Sequence, residues 1–322
     1  MFFIRTLRVV ITTEGLTITM IVKVVIPVYN PDGKFSALLA AYKQQTIYND
    51  IELLIINSGT AKWFERQLDY SHMQLLNIPS ATFDHGGTRQ QGVDYFGDAD
   101  VVVFLTQDAI LASNDAIEQL VKAFDNEKVG AAYGRQLPHA DASVMAAHSR
   151  LYNYTEKGYV YSYEDRYQHG IKTVFLSNSF SAYRVVALRS VGGFPIKTIF
   201  GEDMLVAGML LKNNWSVAYV PEAQVYHSHN YKIQTEFKRA FDTGVFHTKE
   251  SWLLEDFGKA EGEGRRFVKS EISYVAKRNL GTVVDCIVHD GAKFIGYKLG
   301  RSYQRLPKSL ITKFSMNKKF WK

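Results

Sequence analysis

The sequence DADVVVFLTQDAI at residues 98–110 contains a continuous apolar run that is followed by polar side chains. Five apolar residues in succession at 101–105 are typical of a strand that is buried on both faces of a sheet. The polar residues at 106–108 then place a carboxylate, Asp108, at the edge of that sheet. Asp108 is either a turn residue that closes the strand or a ligand for a cation.

Apolar runs and helical patterns alternate on both sides of this stretch. β-branched apolar runs predict strands, and apolar residues three or four positions apart predict helices. Alternation with short connections is typical of an α/β fold, an open and mostly parallel sheet flanked by helices. The predicted strands lie at residues 23–28, 50–60, 73–79, 101–105 and 129–136, and the predicted helices at residues 34–45, 61–70, 113–124 and 202–215. Residues 85–96 are predicted to be a loop that enters a helix, and residues 173–194 a strand followed by a helix.

The remaining segments suggest how the chain is divided. Residues 137–175 are rich in Tyr, His and charged residues and show little periodicity, which predicts an irregular segment. Residues 216–231 are predicted to form a strand, a turn and a second strand, and helical patterns dominate afterwards. We therefore predict a sheet domain at residues 20–231 and a helical region at 232–322. Residues 1–19 precede the first natural strand and are interpreted as an N-terminal extension.

Composition restricts the class of protein. The chain has 322 residues, of which 46% are apolar and 22% charged, an ordinary globular balance. The one cysteine, Cys286, excludes an internal disulfide framework and suits a reducing compartment. No apolar run approaches the ~18 to 20 residues of a membrane span.

The positive charge is concentrated at the C-terminal end. The formal net charge is +6, and residues 291–322 hold nine Lys or Arg and no Asp or Glu. The basic character therefore belongs to a tail, and no nucleic-acid-binding domain is expected. Because the tail mixes its cations with Phe, Tyr, Leu and Trp, it is typical of a segment that binds a membrane surface. The alternative is a helical bundle that packs on the sheet domain with a solvated basic face.

Two common phosphate-binding signatures are missing from the sequence. No G-x-G-x-x-G follows the first strand, and no G-x-x-x-x-G-K-[ST] occurs anywhere. A ligand must therefore be held by side chains, directly or through a cation. In open α/β sheets, ligands bind beyond the carboxyl ends of the strands. The residues at those ends include Pro27, Tyr29, Asn57, Arg89, Gln107 and Asp108, and they are expected to meet in one crevice.

Nine short motifs occur in an order that resembles a known family. They are VVIPVYN (24–30), NSG (57–59), FDHGGTRQQG (83–92), FLTQDAI (104–110), GRQLP (134–138), FLSNSFSAYR (175–184), VGGF (191–194), GEDM (201–204) and VYHSHNY (225–231). Over about residues 20–322 the chain resembles bacterial family 2 glycosyltransferases with the GT-A fold. HGGTR, TQDA and HSHNY together are most similar to the rhamnosyltransferases that build O-antigen, capsule or wall polysaccharide.

The resemblance implies a divalent cation, Mg²⁺ or Mn²⁺, bound by Asp108. In this family a D-x-D element ends the strand and binds the metal, but here Thr106 replaces the first Asp. One carboxylate suffices if another ligand is present. The resemblance favours His227 as that ligand, with His229 as the second candidate. On an extended backbone both imidazoles lie on the same side. A strand-closing turn and a structural His pair are the alternatives.

The resemblance also implies a catalytic base in GEDM. It assigns the base to Asp203, with Glu202 orienting the acceptor or the base. Arg89 is expected to contact the diphosphate of the donor, because guanidinium groups bind phosphate in a bidentate manner. The alternatives are that the two acids only favour the dipole of a helix start, and that Arg89 lies on the surface.

The nucleotide and sugar pockets are predicted from the remaining strand ends. Tyr29 could stack on the base, above a loop fixed by Pro27, with Gln107 nearby. Many relatives carry Asp where this chain has Asn57, so base selectivity is left open. Residues 177–178, Ser177 and Asn178, are candidates to line the sugar or acceptor pocket, and a simple strand-end turn is equally compatible.

Together these features predict an inverting glycosyltransferase. The resemblance implies transfer of L-rhamnose from dTDP-β-L-rhamnose to a lipid-linked glycan acceptor. Such an enzyme would work in the cytoplasm, peripherally at the inner face of the bacterial plasma membrane. A UDP-sugar donor and a catalytically inactive scaffold are the alternatives, and the sequence does not predict an oligomeric state.

Overall fold

The fold is organised around one nine-stranded sheet. The structure, a computed structural model, describes residues 9–13, 16–258 and 261–322. The strands are β1 (Val9–Thr13), β2 (Leu16–Met20), β3 (Val22–Val28), β4 (Glu52–Asn57), β5 (Met73–Asn77), β6 (Val101–Leu105), β7 (Ile110–Leu111), β8 (Val129–Leu137), β9 (Tyr159–Tyr161), β10 (Phe180–Arg184) and β11 (Ser216–Tyr226). The helices are α1 (Gly33–Lys43), α2 (His85–Tyr95), α3 (Ala116–Val121), α4 (Val144–Asn153), α5 (Arg166–His169), α6 (Val185–Ser190), α7 (Glu202–Lys212), α8 (Ile233–Lys249), α9 (Ser251–Phe257), α10 (Glu261–Ala276), α11 (Val283–Arg301) and α12 (Lys308–Phe314).

The sheet has the strand order β5-β4-β3-β6-β10-β8-β11-β7, with β9 pairing to β11. Strands β3 to β6 are parallel neighbours, and β8 and β11 are parallel to each other. Strand β10 lies antiparallel between β6 and β8, and the short strands β7 and β9 pair antiparallel with β11. The predicted α/β fold is therefore confirmed, with antiparallel strands added to a parallel centre.

The central strands are buried on both faces because alternate side chains enter two separate cores. In β3, Val24 and Ile26 belong to the first core, and Val25 belongs to the second core. In β6, Val103 and Phe104 divide in the same way. This explains why these strands appear in the sequence as unbroken apolar runs.

Three segments differ from the sequence-based expectation. The predicted helix at residues 61–70 is reduced to one 3₁₀ turn at Glu65–Gln67. Residues 137–175 are more regular than predicted, since they contain α4, β9 and α5. Residues 216–226 form one long strand with a register shift between Val220 and Gln224. Pro221 lies within that shift, and because proline lacks an N–H donor it is tolerated in sheets mainly at such irregularities.

The basic tail divides into a packed part and an exposed part. Phe314 packs against Phe237 and Phe241, and Phe320 and Trp321 also contact the second core. Most of the exposed apolar side chains of the C-terminal region lie on and just before α11, and they are Leu280, Val284, Ile287, Val288, Phe294 and Ile295, while Leu310 and Met316 are exposed further along the chain. The end of the tail therefore follows the bundle alternative, whereas α11 offers an exposed apolar face.

The predicted division into segments stays a prediction. The last strand of the sheet ends at Tyr226 and α8 begins at Ile233, but α8 contributes side chains to the second core. Of the predicted N-terminal extension, β1 and β2 form an antiparallel hairpin, whereas residues 1–8 and 14–15 lie outside the described residues. In the described part of the chain, no helix is long and apolar enough to cross a membrane.

Candidate active site

The position of Asp108 follows from strand pairing on both sides of it. The residues after β6 form a turn in which Ala109 N–H donates to the Thr106 carbonyl, at 3.0 Å. The chain then enters β7, which pairs with the end of β11. Since β11 ends at Tyr226, this pairing places Asp108 beside the residues that follow β11. Asp108 is thus a turn residue whose carboxylate lies at the C-terminal edge of the sheet.

Asp108, His227 and His229 converge in the structure. Asp108 Oδ2 lies 3.6 Å from Nε2 of His227 and 3.6 Å from Nε2 of His229. The candidate ligand atoms of the three residues all lie within 4.8 Å of one another. His227 is buried, whereas the His229 side chain is 36% exposed. The arrangement matches the prediction that the two imidazoles share one side of an extended segment.

Gln136 determines which nitrogen of His227 faces the cluster. Gln136 Oε1 lies 2.8 Å from His227 Nδ1 and also accepts a hydrogen bond from Arg150. Because arginine can only donate, this atom of Gln136 must be the amide oxygen, and His227 Nδ1 must carry the hydrogen. In a neutral ring, Nε2 then has a free lone pair directed toward Asp108. This is the outer hydrogen bond that metal-binding histidines commonly make.

The ionisation of this cluster favours cation binding. Burial opposes ionisation of Asp108, but the neighbouring His227, His229 and Thr106 side chains together outweigh it and hold the pKa of Asp108 well below its usual range. Burial and the neighbouring His227 lower the pKa of His229 to about 4. At neutral pH the cluster therefore offers a carboxylate and an unprotonated imidazole, which are the forms that bind metals.

Arg89 and Glu202 form a buried ion pair. Arg89 Nη1 lies 2.9 Å from Glu202 Oε1, and both side chains are less than one tenth exposed. Gly86, three residues before Arg89 in α2, permits the close approach of the Pro195 backbone, since a Cβ there would collide with the Pro195 carbonyl oxygen. Burial raises the pKa of Glu202, but the charges of Arg89 and His85 and the hydrogen bond from Asn178 together lower it by more, so that the pKa lies below its ordinary value. Arg89 Nη1 also donates to the His85 carbonyl, at 2.9 Å, whereas Nε has no hydrogen-bond partner within the described residues. The predicted contact of Arg89 with the diphosphate stays a prediction.

Asp203 is held at the first turn of α7. Gly201, which precedes the helix, has a φ of 76°, a conformation that favours glycine. The Asp203 carboxylate accepts hydrogen bonds from the backbone N–H groups of Asn178, at 3.2 Å, and Met204, at 2.9 Å. Burial and the negative charge of Glu202 raise the pKa of Asp203 to about 7. A carboxylate with a pKa near the working pH is suited to accept a proton.

Ser177 and Asn178 connect the two groups of residues. Gln136 Nε2 donates to Ser177 Oγ at 2.9 Å, and the Asn178 side chain donates to Glu202 Oε1 at 3.1 Å. Asn178 is buried, and its amide oxygen accepts from Ser181 and Tyr183. Asn178 therefore supports the acidic pair from inside the fold, which differs from its predicted place in a pocket wall. The side chain is satisfied entirely by protein groups.

The predicted nucleotide-binding residues lie at neighbouring strand ends. The Gln107 amide makes two hydrogen bonds to the Tyr29 backbone, at 2.7 and 3.3 Å, while the Tyr29 side chain is 57% exposed. Pro27 lies in β3, one residue before the end of the strand. Asn57 is buried, donating to Asn77 and accepting from the Gly59 N–H. Tyr29 thus remains available to a ligand, whereas Gln107 and Asn57 serve to shape the loops.

Two residues of the site were not assigned a role from the sequence. Gln136 lies in the GRQLP motif and fixes His227, and Arg150 fixes Gln136. The signal for Gln136 was a buried polar residue at the end of an apolar strand. Arg150 lies in α4, inside the segment predicted to be irregular, so no periodic pattern pointed to it.

Comparison with known proteins gives consistent matches. The family described as "Glycosyltransferase like family 2" matches residues 21–242. The O-antigen chain rhamnosyltransferase RfbN of Salmonella typhimurium is 47% identical over 94% of this chain and 96% of its own length. The O-antigen chain rhamnosyltransferase WbaN of Salmonella anatum is 41% identical over 92% of this chain and 94% of its own length.

A solved structure supports the fold. The mannosyltransferase PcManGT from Pyrobaculum calidifontis, solved in complex with GDP-Man and Mn²⁺, has a TM-score of 0.55 and 16% identity. The match covers 91% of this chain and 84% of that one. At this identity the likeness shows the fold alone. The sequence matches and the fold together establish that the chain belongs to glycosyltransferase family 2 and is a glycosyltransferase of the GT-A fold.

Proposed function

We propose that the protein transfers L-rhamnose from dTDP-β-L-rhamnose to a glycan acceptor carried on a lipid. The observation that carries this proposal is the connection of the Asp108–His227–His229 cluster to Asp203 through Gln136, Ser177 and Asn178. The Asp108–His227–His229 cluster suits a nucleotide diphosphate, and Asp203 suits a reacting hydroxyl. The names of the two Salmonella relatives support rhamnose as the sugar.

The cluster fits a divalent cation, Mg²⁺ or Mn²⁺. Asp108 supplies a hard anionic oxygen, and His227 supplies a nitrogen whose lone pair is oriented by Gln136. His229 completes the set from the more exposed side. When bound, such an ion would neutralise charge on the departing diphosphate.

Asp203 acts as the general base in this proposal. Its carboxylate accepts the proton of the acceptor hydroxyl, and the oxygen attacks the anomeric carbon of the donor. The bond from that carbon to the diphosphate breaks, the dTDP leaves, and inversion gives an α-L-rhamnosyl product. The N–H groups of Asn178 and Met204 hold the carboxylate in place, and Arg89 keeps the adjacent Glu202 ionised and fixed.

A peripheral position at the cytoplasmic face of the plasma membrane completes the proposal. The exposed apolar face of α11 includes Val284, Ile287 and Val288. Lys298 and Arg301 follow on the same helix. Apolar side chains beside cations are typical of segments that bind anionic membrane surfaces.

Calorimetric titration of dTDP and UDP tests this function. The titrations are done with Mn²⁺, with Mg²⁺ and with EDTA, on the natural protein and on Asp108→Ala. We expect metal-dependent binding of dTDP that is tighter than that of UDP and is lost in the variant. Tighter binding of UDP would reject the donor assignment and leave a UDP-sugar as donor. Absence of binding by either nucleotide would reject the proposed reaction.

A further inference from the structure

The C-terminal helices form a large, open groove. The proposed reaction assigns no role to this groove. It lies between α8, α10 and α11 and has a volume of about 940 Å³. That volume is at the upper end of the range for ligand sites, roughly 300–1,000 Å³. Its apolar lining is provided by Ala240, Phe267, Val268, Ile272 and Phe294.

The groove is bordered mainly by positive charge. Of the described side chains that line it, five are Lys or Arg, and two are carboxylates. Both carboxylates are already paired, Glu236 with His289 at 2.6 Å and Asp290 with Lys293 at 2.8 Å. Within the described residues, Arg239, Arg265 and Lys269 form no salt bridge. The groove therefore suits a molecule with a long apolar part and an anionic group.

One end of the groove reaches the candidate active site. Tyr231 lines the groove, and its ring stacks on His229 of the cation cluster at 4.9 Å between ring centroids. The guanidinium of Arg239 lies 4.9 Å from the Tyr231 ring and 5.6 Å from the Phe200 ring. Phe200 immediately precedes the Gly201 turn that starts α7. A phosphate held by Arg239 would thus lie between the cation cluster and the helix that carries Asp203.

We infer that this groove binds the lipid carrier of the acceptor, with the chain along α10 and α11 and its phosphate or diphosphate at Arg239. The inference rests on the proposed lipid-linked acceptor and adds the place where it is held. Such a carrier requires an apolar channel and an adjacent cation. The groove provides both, with Arg239 at the end that lies nearest the candidate active site. A bilayer surface would need an open face, such as the exposed side of α11, rather than a channel between helices.

Binding of an isoprenyl diphosphate tests the inference. Geranylgeranyl diphosphate is the probe, and inorganic diphosphate and geranylgeraniol each lack one half of it. We expect geranylgeranyl diphosphate to bind at least about tenfold more tightly than either half, because burial of several CH₂ groups exceeds the ~1.4 kcal/mol that tenfold requires. Equal binding of inorganic diphosphate would reduce the site to a phosphate contact and reject the inference.

Variants place the probe in the groove. Val268→Trp and Ile272→Trp fill the channel and should each weaken binding at least about tenfold, whereas Arg239→Gln should weaken it by about tenfold by removing a charged hydrogen-bond donor. Val284→Trp on the exposed face of α11 and Lys277→Gln outside the groove are the matched controls, expected within about twofold of the natural protein. Undiminished binding in both Trp variants, or an equal loss in Val284→Trp, would contradict the inference.

Two further measurements distinguish a failure of this inference from a failure of the proposed function. Binding to vesicles of phosphatidylglycerol and phosphatidylcholine should be unchanged in Val268→Trp; a parallel loss would show that the groove contacts the bilayer and would overturn the inference. Titration of dTDP with Mn²⁺ in the same samples reports the fold and the donor site. If dTDP fails to bind the natural protein, the proposed function fails, while the isoprenyl titrations still decide the groove.

Discussion

At the strand ends Arg89 and Glu202 form a buried ion pair, whereas along α11 apolar side chains are exposed and cations border an open groove. The Asn178 side chain also donates to Glu202 from inside the fold. In contrast, Val284 is 71% exposed and Phe294 is 62% exposed. The candidate active site is therefore braced by contacts within the fold, whereas the helical end leaves surface available to a partner.

The largest effect on stability should come from separating the buried ion pair. Arg89→Met leaves the Glu202 carboxylate buried without its cation, and we expect the free energy of unfolding to fall by about 3–5 kcal/mol. Urea unfolding measures this. Lys212→Met removes a partly exposed ion pair with Asp256 and is the matched control, expected to cost about 0–1 kcal/mol. Equal costs would mean that the strand ends are no more tightly organised than the surface.

A smaller effect is expected from removing the hydrogen bond that orients His227. Gln136→Leu deletes the acceptor of the His227 Nδ1–H, so the affinity for Mn²⁺ should fall by about 10–100-fold. Titration of Mn²⁺ followed by electron paramagnetic resonance measures it without turnover. Gln119→Leu, in the surface helix α3, serves as the control. An affinity within about twofold of the natural protein in Gln136→Leu would show that the cluster does not depend on this support.

The pH dependence should report the raised pKa of Asp203. The proposed base would be active when ionised, and the pKa of Asp203 is about 7. The value of kcat/KM should therefore fall by about tenfold per pH unit below pH 7 and become constant above it. A profile that is flat between pH 5.5 and about 7 would contradict the assignment of Asp203 as the titrating base.

The smallest effect is expected on the exposed face of α11. Val284→Asp combined with Ile287→Asp should lower binding to phosphatidylglycerol vesicles by about tenfold. The free energy of unfolding should change little because both side chains are exposed. Val186→Asp, on an exposed position of α6, is the control. If both variants bind vesicles equally well, α11 is not the membrane-facing surface.

The same contrast governs what the sequence could predict. The buried parallel strands were recognised because burial on both faces leaves unbroken apolar runs, and Asp108, His227 and Asp203 followed from strand ends and from the family resemblance. The partners of Arg89 and Asn178 were not predictable, because those contacts join residues 113 and 24 positions apart. The exposed apolar residues of α11 have a helical spacing that does not distinguish a face turned to solvent from one turned to a core.

In the proposed reaction, Asp108 acts in metal-dependent donor binding and Asp203 acts in proton transfer. Measuring the binding and turnover of dTDP-β-L-rhamnose in the two single variants tests these roles most directly. We predict that Asp203→Asn binds the donor with Mn²⁺ nearly as well as the natural protein does, while its kcat falls by about 10²–10⁴-fold. Asp108→Ala should lose the metal-dependent part of donor binding. Turnover of Asp203→Asn at the natural rate, or unchanged metal-dependent binding in Asp108→Ala, would contradict the account.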